Sequence, residues 1–273
     1  MTDAAPPDSG PVDVAPPPGI DVTRPNIARV YDYWLGGKDN FASDRKLGDQ
    51  MLALDPGFRD LVRGNRDFLS AAVARAARES GIEQFLDLGA GLPASPAIHD
   101  AARAEQPQAR FAYVDNDPVA VLHTQAILAG SSGLASVDAN LGDPASVLAH
   151  PATLSVLDLA EPAGIILGSV GHFLPPAVLR DLVEQYLSRL AAGSWLIISL
   201  GRAEDDEPEE RLQPAYTAAQ TYRYSPSDFE ALFAGTAIVA PGLREARAWV
   251  AGKASPPPAK GLFMHCGAGI KRA

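Results

Sequence analysis

The sequence contains few cysteines, lysines and aromatic residues. Its one cysteine, Cys266, among 273 residues excludes an intramolecular disulfide and a zinc site made of cysteines. We expect Cys266 to be a small, buried apolar residue of a strand. Only five of the 23 basic residues are lysines, a bias that is typical of a GC-rich bacterial genome. Hydrophobic residues make up 47% and charged residues 21% of the chain, which indicates a globular fold.

Long apolar runs and an excess of basic residues are also missing. The longest apolar stretches, residues 163–170 and 195–200, are far shorter than the ~20 residues that span a bilayer. No basic segment precedes an apolar run at the N-terminus, so we predict no signal peptide, no membrane partner and a cytoplasmic location. The formal net charge of −10 argues against a nucleic-acid partner, because such binding needs a basic face.

Composition divides the chain into two parts. Residues 1–22 contain six prolines and almost no large apolar side chain, which predicts a disordered tail. Residues 23–273 are expected to form one domain. Within it, residues 23–80 would form an N-terminal helical lid and residues 81–273 a Rossmann-like core. Helical spacing of apolar residues predicts the first two helices at 26–35 and 58–79.

Strands and helices alternate after this helical segment. Strands are predicted at residues 85–88, 110–114, 134–137, 165–170 and 195–200, and the helices between them at 96–105, 118–129, 143–149 and 176–190. Such alternation predicts an α/β fold, in which a mostly parallel sheet has helices on both faces. Further along, we expect helices at 214–222 and 227–234 and closing strands at 237–240, 245–250 and 262–266.

A glycine-rich loop follows the first predicted strand, with the sequence Asp87-Leu88-Gly89-Ala90-Gly91. Ligands of open parallel sheets bind beyond the carboxyl ends of the strands. Gly89 and Gly91 allow the backbone to turn tightly and to approach a ligand closely. The loop fits two patterns: G-x-G-x-x-A of dinucleotide enzymes, if Ala94 is counted, and D-x-G-x-G of methyltransferases.

The charge of Asp87 favours the methyltransferase pattern. A carboxylate at this position can accept hydrogen bonds from the cationic α-amino group of S-adenosylmethionine (SAM), whereas it would repel an anionic pyrophosphate. Pro93 also lacks the N–H that a pyrophosphate would use at a helix N-terminus. The sequence therefore favours SAM as the cofactor and keeps an NAD-dependent oxidoreductase as the alternative.

Polar side chains follow the second and third predicted strands. Asp115 is placed to accept hydrogen bonds from both ribose hydroxyls of an adenosine ligand. After the third strand, a polar side chain such as Asn140 can accept a hydrogen bond from the adenine amino group, and the backbone N–H of Leu141 can reach a ring nitrogen. Both positions indicate a ligand that contains adenosine, without choosing between SAM and NAD.

The segment at residues 28–41 has the sequence ARVYDYWLGGKDNF. It resembles the N-terminal signature of a bacterial SAM-dependent methyltransferase family that was long catalogued as a domain of unknown function. The likeness extends over about residues 23–273 and includes the loop at 85–91 and His172-Phe173. It implies a class I methyltransferase fold, a seven-stranded sheet with one antiparallel strand at its edge.

The resemblance also implies roles for individual residues. Gly89, Ala90 and Gly91, together with Asp87, would line the methionine half of SAM. Asp115 and its neighbour Asn116 would hold the ribose and flank the adenine. The chain departs from the family pattern at Asn140, where the family has Asp, at Gly142, where it has Arg, and at residues 174–176, where Leu-Pro-Pro replaces an acidic stretch.

The signature has a physical interpretation as well. A helix that ends at Gly36-Gly37 can fold over the carboxyl edge of the sheet as a lid, which brings Gly37 to the cofactor. Tyr33 would then pack on the sulfonium, since a cation is attracted to an aromatic face. Arg66 would pair with the methionine carboxylate.

The loop after the fourth strand supplies the candidate base. His172 lies where a titratable imidazole can remove a proton from an oxygen or nitrogen nucleophile. Ser169 of the same loop is a predicted cofactor contact. The remaining histidines have no ligand spacing, so no metal is predicted; they are His99, His123, His150 and His265.

Three functions remain open from sequence. The favoured one is a methyltransferase that uses SAM to methylate an oxygen or nitrogen of a small molecule. The alternatives are an NAD-dependent oxidoreductase and a non-catalytic regulatory protein that binds SAM.

Overall fold

The computed structural model describes residues 21–203, 220–252 and 262–273. Its helices are α1 (Ile27–Leu35), α2 (Ala42–Leu54), α3 (Phe58–Ser80), α4 (Ile98–Glu105), α5 (Pro118–Leu128), α6 (Pro144–Ala149), α7 (Pro151–Leu154), α8 (Pro176–Ser188), α9 (Pro226–Ala231) and α10 (Ala246–Ala251). Its strands are β1 (Gln84–Leu88), β2 (Arg110–Asp115), β3 (Leu134–Asp138), β4 (Gly164–Gly168), β5 (Trp195–Ala203), β6 (Thr236–Ile238), β7 (Arg244–Glu245) and β8 (Leu262–Lys271). A 3₁₀ helix (Gly171–Phe173) follows β4.

One sheet organises these elements. Its strand order is β3-β2-β1-β4-β5-β8-β6, and β7 pairs with β8 beside this path. The first five strands pair in parallel, whereas β8 runs antiparallel to β5, β6 and β7. The chain order reverses between β1 and β4, so a crevice opens there beyond the carboxyl ends of the strands.

Apolar side chains fill both faces of the sheet. Along β4, Ile165 belongs to one apolar cluster and Ile166 to the other, as expected for a strand that is buried on both sides. Helix α8 covers the first face with Leu179 and Val183. The C-terminal part of α3 covers the second face, where Phe68 is fully buried.

A third apolar cluster joins the N-terminal helices. Val30 and Trp34 of α1 pack with Met51 of α2 and Phe58 of α3, and the Trp34 and Phe58 rings stack with centroids 4.8 Å apart. Helix α3 therefore packs on α1 and α2 at its start and on the sheet further along. This one long helix anchors α1 and α2 to the rest of the molecule.

The predicted fold class is confirmed, because β1 to β5 form the expected parallel sheet with helices on both faces. Two details differ from the expectation. Among the described residues the sheet has eight strands rather than seven, since the two-residue β7 also pairs with β8. The antiparallel strand is β8, which lies one place in from the edge because β6 pairs with its far side.

Helix α2 is absent from the sequence prediction. Its sequence contains Gly48, a residue that often interrupts a helix, and few of its side chains are apolar and buried, chiefly Leu47 and Met51 with the partly buried Leu52. The structure explains the glycine: a Cβ at position 48 would lie 2.6 Å from the Tyr33 ring, and Trp34 Nε1 donates to the Gly48 carbonyl at 3.2 Å. Packing against α1 therefore overrides the weak helical pattern.

The strand predicted at residues 245–250 is wrong, because Ala246–Ala251 form helix α10. Small and large side chains alternate in this segment as in a strand. However, the Glu245 carboxylate accepts from Ala248 N at 3.0 Å and caps the helix, and the buried residues include Ala246 and Trp249, which are three positions apart. Two predicted segments fall largely outside the described residues. Residues 214–219 of the predicted helix at 214–222 are among those not described, and residues 220–222 are not helical. Residues 1–20 of the predicted tail are also not described.

Candidate functional site

A cavity of about 380 Å³ lies beyond the carboxyl ends of β1 to β4. The loops after these four strands form its floor, and α1 and α3 form its roof. A volume of this size falls in the range of small-molecule sites. Its position matches the crevice where the strand order reverses.

The glycine-rich loop after β1 is shaped by backbone hydrogen bonds. Gly89 N and Ala90 N donate to the Val114 carbonyl of β2 at 2.9 and 3.0 Å. Gly89 and Gly91 have φ angles of +69° and +64°, a region that L-residues rarely adopt. A Cβ on Gly89 would also lie 2.5 Å from Val170 Cγ2. Glycine is therefore required at position 89 for both the turn and the packing.

Asp87 lies at the base of this loop and lines the cavity with 7% of its surface exposed. Its carboxylate accepts no hydrogen bond from the residues that the structure describes. Burial raises its pKa from 3.8 to about 7, and the nearby Arg66 guanidinium opposes that rise. Arg66 also lines the cavity and donates to the Pro96 carbonyl at 3.2 Å. A buried carboxylate without a donor is suited to bind a cationic ligand group.

Asp115 is tied to the glycine-rich loop. Its Oδ2 accepts from Gly91 N at 2.8 Å, and its Oδ1 accepts from Asp117 N at 2.9 Å. Burial raises its pKa, while these hydrogen bonds lower it. Each carboxylate oxygen can accept a further hydrogen bond. Asp115 and the exposed Asn116 both line the cavity.

The loop after β3 forms the far end of the cavity with Asn140 and Leu141. Asn140 Oδ1 accepts from Gly142 N at 2.8 Å, so the amide orientation is fixed, and the oxygen can accept once more. The Leu141 carbonyl accepts from Tyr186 Oη at 2.8 Å, which holds the backbone of this loop against α8.

The loop after β4 carries Ser169 and His172, and both line the cavity. Ser169 has a φ of +57°, and its N–H donates to both Oγ and the carbonyl of Ser199 at 3.0 Å. His172 is 7% exposed, and burial lowers its pKa from 6.5 to about 4. Its Nδ1 is buried and has no partner among the described residues. The imidazole is therefore neutral at physiological pH.

Helix α1 presents one face to the cavity, which carries Ile27, Ala28, Tyr31, Asp32, Trp34 and Leu35. These residues follow the spacing of a single helical face. The buried Arg29 and Asp44 join α1 to α2 through an ion pair of 2.8 Å between Nε and Oδ2. Asn26, which caps α1, also donates to Asp117 in the loop after β2.

Two predicted cofactor contacts, Tyr33 and Gly37, do not line the cavity. Tyr33 Oη donates to Asp49 Oδ1 of α2 at 2.7 Å. Tyr33 lies two residues from Tyr31, and at 3.6 residues per turn such a pair points about 200° apart. Gly37 is exposed, and a Cβ there would lie within 2 Å of Asp32 Oδ1, so its role is to admit that carboxylate. The other ten predicted cofactor contacts and His172 all line the cavity.

The structure adds cavity residues that sequence reasoning missed. They are Asn26, Tyr31, Asp32, Asn65 and Asp117. The phase of α1 is the signal for two of them, because Tyr31 and Asp32 lie on the helical face that also carries Ala28 and Leu35. Asn65 and Asp117 have no comparable signal, since each depends on a contact between elements far apart in sequence.

A family model described as S-adenosyl methyltransferase matches residues 13–272, nearly the whole chain. The chain belongs to the S-adenosyl methyltransferase family. The resemblance of the N-terminal signature is thereby confirmed, and the cofactor of this methyltransferase is SAM. Membership decides between the two patterns that the glycine-rich loop satisfies.

Solved structures agree with this assignment. A Thermobifida fusca protein proposed to be a methyltransferase shares 35% identity, with 96% of this chain and 100% of that chain covered and a TM-score of 0.84. A DUF574 family protein from Streptomyces avermitilis shares 31% identity over 92% and 99% of the two chains, with a TM-score of 0.82. None of the curated proteins compared with this methyltransferase matches it.

More distant structures share the fold alone. Magnesium protoporphyrin IX methyltransferase from Synechocystis PCC 6803, solved with bound SAH, has 12% identity and a TM-score of 0.51 over 89% of this chain and 92% of that chain.

The residues of the cavity fit SAM. The Asp87 carboxylate lacks a donor that the α-amino group supplies, and only glycine fits at position 89 beside Val170. The described part of the methyltransferase contains no cluster of three His, Cys, Asp or Glu side chains that would hold a metal. Within the same residues, no helix has the length and apolar character to cross a membrane.

Proposed function

We propose that this methyltransferase transfers a methyl group from SAM to an oxygen or nitrogen of a small molecule. The proposed domain is residues 23–273, with residues 23–80 as the lid and 81–273 as the Rossmann-like core. The observation that carries the proposal is the buried Asp87 carboxylate at the base of the glycine-rich loop, which has no hydrogen-bond donor from the described residues.

Four sets of residues would hold the cofactor, at its methionine end, its ribose, its adenine and along the walls. Asp87 accepts from the α-amino group, and Arg66 pairs with the methionine carboxylate at the same end of the cavity. Asp115 and Asn116 hold the ribose and flank the adenine, because the Asp115 oxygens are already oriented by Gly91. Asn140 and the backbone of Leu141 contact the adenine, and Gly89, Ala90, Gly91 and Ser169 line the walls.

When bound, SAM supplies an electrophilic methyl group, whose bond to sulfur breaks as a bond to the acceptor forms, leaving S-adenosylhomocysteine (SAH) and a proton. We assign removal of that proton to the neutral imidazole of His172. Its low basicity suffices, since the proton on the acceptor becomes strongly acidic as the methyl bond forms. The remaining contribution of the chain is alignment of the acceptor and exclusion of water by α1 and α3.

The acceptor is proposed to be a small molecule rather than a nucleic acid. The net charge of −10 gives no basic face for a phosphate backbone, and four aspartates line the cavity: Asp32, Asp87, Asp115 and Asp117. Composition supports a bacterial origin, and we place the enzyme in the cytoplasm.

Calorimetry and a transfer assay test the proposal together. SAM and SAH are titrated into the purified protein beside NADH, and labelled SAM is incubated with a panel of hydroxyl and amine acceptors. We expect SAM and SAH to bind, NADH not to bind, and label to reach at least one acceptor. His172→Asn should lower transfer by about 100-fold with SAM affinity unchanged. SAM binding without any transfer would favour a regulatory protein, and NADH binding alone an oxidoreductase.

A further inference from the structure

The Asn65 side chain has an unused hydrogen-bond acceptor inside the cavity. Asn65 belongs to α3, is 1% exposed and lines the cavity. Its Oδ1 is buried and has no partner among the residues that the structure describes. Leaving such a buried group unpaired is unfavourable, so a bound donor at this position would offset the cost.

The orientation of the Asn65 amide follows from Tyr31. Tyr31 Oη donates its single proton to the Val62 carbonyl at 3.3 Å, so its oxygen accepts from Asn65 Nδ2 at 2.9 Å. Burial raises the pKa of Tyr31 to about 12, which keeps the hydroxyl protonated at physiological pH. One N–H of the amide is therefore engaged and fixes its orientation, and Oδ1 is the acceptor that is free to meet a ligand.

Asn65 lies away from the adenosine end of the cavity. The residues proposed to hold adenosine follow β2 and β3, on one side of β1. Tyr31, the partner of Asn65, instead lies within electrostatic range of Arg66 of α3 and of Cys266 of β8, which is on the other side of β4. Leu69, one turn after Asn65, packs on Gly168 at the end of β4. The region around Asn65 is thus at the methionine end of the cavity, away from the adenosine.

Apart from Arg66, which is assigned to the methionine carboxylate, the walls of this region are apolar or neutral. Leu69 and Phe173 supply apolar surface, and the neutral side chains of Tyr31 and His172 supply hydroxyl and imidazole groups. Asp32 of α1 belongs to the other side, since its Oδ2 accepts from Asp39 N and Asn40 Nδ2 at 2.9 Å and His123 of α5 lies near it. A charged acceptor would meet no counter-ion among these wall residues.

Resting on the proposed function, we propose that Asn65 is a positioning residue for the methyl acceptor. The acceptor is a neutral molecule with an apolar body, and one of its O–H or N–H groups donates to Asn65 Oδ1. The three donor groups of SAM have other proposed partners: Asp87 for the amino group, Asp115 for the ribose and Asn140 for the adenine. Asn65 Oδ1 is left for the acceptor.

Phenol and anisole test this assignment, because they share a shape but only phenol carries a hydroxyl proton. Both are titrated into the SAH-saturated enzyme, and binding is followed by ligand-observed NMR. We expect phenol to bind about 3- to 10-fold more tightly than anisole. In Asn65→Leu this preference should disappear while SAH affinity stays within about 2-fold. Tyr31→Phe, which releases the amide from its partner, should weaken the preference without changing SAH affinity.

Asp67→Asn is the matched control, since Asp67 is exposed on the same helix two positions along. It should keep both the preference and the SAH affinity. Equal binding of phenol and anisole by the wild-type complex would overturn the assignment. So would a tenfold or larger loss of SAH affinity in Asn65→Leu, which would make Asn65 a cofactor contact and leave the proposed function intact. Failure of the wild-type protein to bind SAM or SAH would instead sink the proposed function itself.

Discussion

At the scale of single residues, burial inverts the usual order of the pKa values of a carboxyl group and an imidazole in the cavity, those of Asp87 and His172. The pKa of Asp87 rises to about 7, and that of His172 falls to about 4. Both shifts have the same cause, desolvation of the charged form. At physiological pH the imidazole is therefore neutral, whereas the carboxyl group lies near its midpoint and becomes fully charged when a cationic ligand group arrives. Perturbed pairs of this kind are typical of functional sites.

Asp87→Asn is expected to stabilise the cofactor-free protein and to weaken the binding of SAM. A carboxyl group whose pKa is raised by folding binds protons more tightly in the folded chain, so stability is lost as the pH rises from 3.8 towards about 7. At pH 8 the variant should therefore raise the Tm of the cofactor-free protein by a few degrees. Its SAM affinity should fall by about 10- to 100-fold, because a charged acceptor is lost.

Differential scanning fluorimetry and calorimetry from pH 5 to 9 measure both effects. Wild-type affinity for SAM should rise as the pH increases through about 7, and this dependence should vanish in Asp87→Asn. Asp138→Asn is the control, since Asp138 ends the nearby strand β3 but is exposed and does not line the cavity. A variant that binds SAM as tightly as the wild type would remove Asp87 from the site.

At the scale of elements, α1 is held by one buried carboxylate. Asp44 of α2 accepts from Asn26 N, Arg29 Nε and Phe41 N, each at 2.8 Å, and is fully buried. Because α1 contributes one face to the cavity wall, the position of that wall depends on Asp44. The proposed lid is therefore fixed by an ion pair as well as by apolar packing.

Asp44→Ala should loosen the lid selectively. Removing one partner of a buried ion pair costs about 3–5 kcal/mol. Hydrogen exchange should accelerate in α1 and α2 while β4 keeps its protection, and SAM affinity should fall by about tenfold. Gln50→Ala, at an exposed position of α2, should change neither. If exchange instead accelerated equally in β4, residues 23–80 would unfold with the core and would not act as a lid.

Elements with strong patterns were predictable from the sequence, and elements fixed by tertiary contacts were not. The continuous apolar runs of β4 and β5 predict their burial in a parallel sheet, and the strand–loop–helix context of Gly89 and Gly91 predicts the site. Helix α10 was missed because small and large side chains alternate at its start as in a strand. Tyr33 was assigned to the site instead of Tyr31, because both tyrosines pack on the apolar cluster of α1 and only the contact with Asp49 of α2 shows that Tyr33 points elsewhere.

At the scale of the whole molecule, the negative charge of the cavity is complementary to the net positive charge of the cofactor. The whole chain carries a net charge of −10, and the described cavity residues include four aspartates but one arginine, Arg66. SAM has two cationic groups and one carboxylate, whereas its product SAH lacks the sulfonium charge. The negative field therefore attracts the substrate more than the product, which favours exchange of SAH for SAM after turnover.

Salt dependence distinguishes this field from local hydrogen bonding. Raising NaCl from about 0.05 to about 0.5 M shortens the screening length severalfold. We expect the affinity for SAM to fall more steeply with salt than the affinity for SAH, since only SAM has a net positive charge. Calorimetric titrations of both ligands over this range give the two slopes, with potassium glutamate as a check against specific chloride effects. Equal slopes would show that the aspartates act only through the groups they touch, and the acidic lining would then have no part in selecting SAM over SAH.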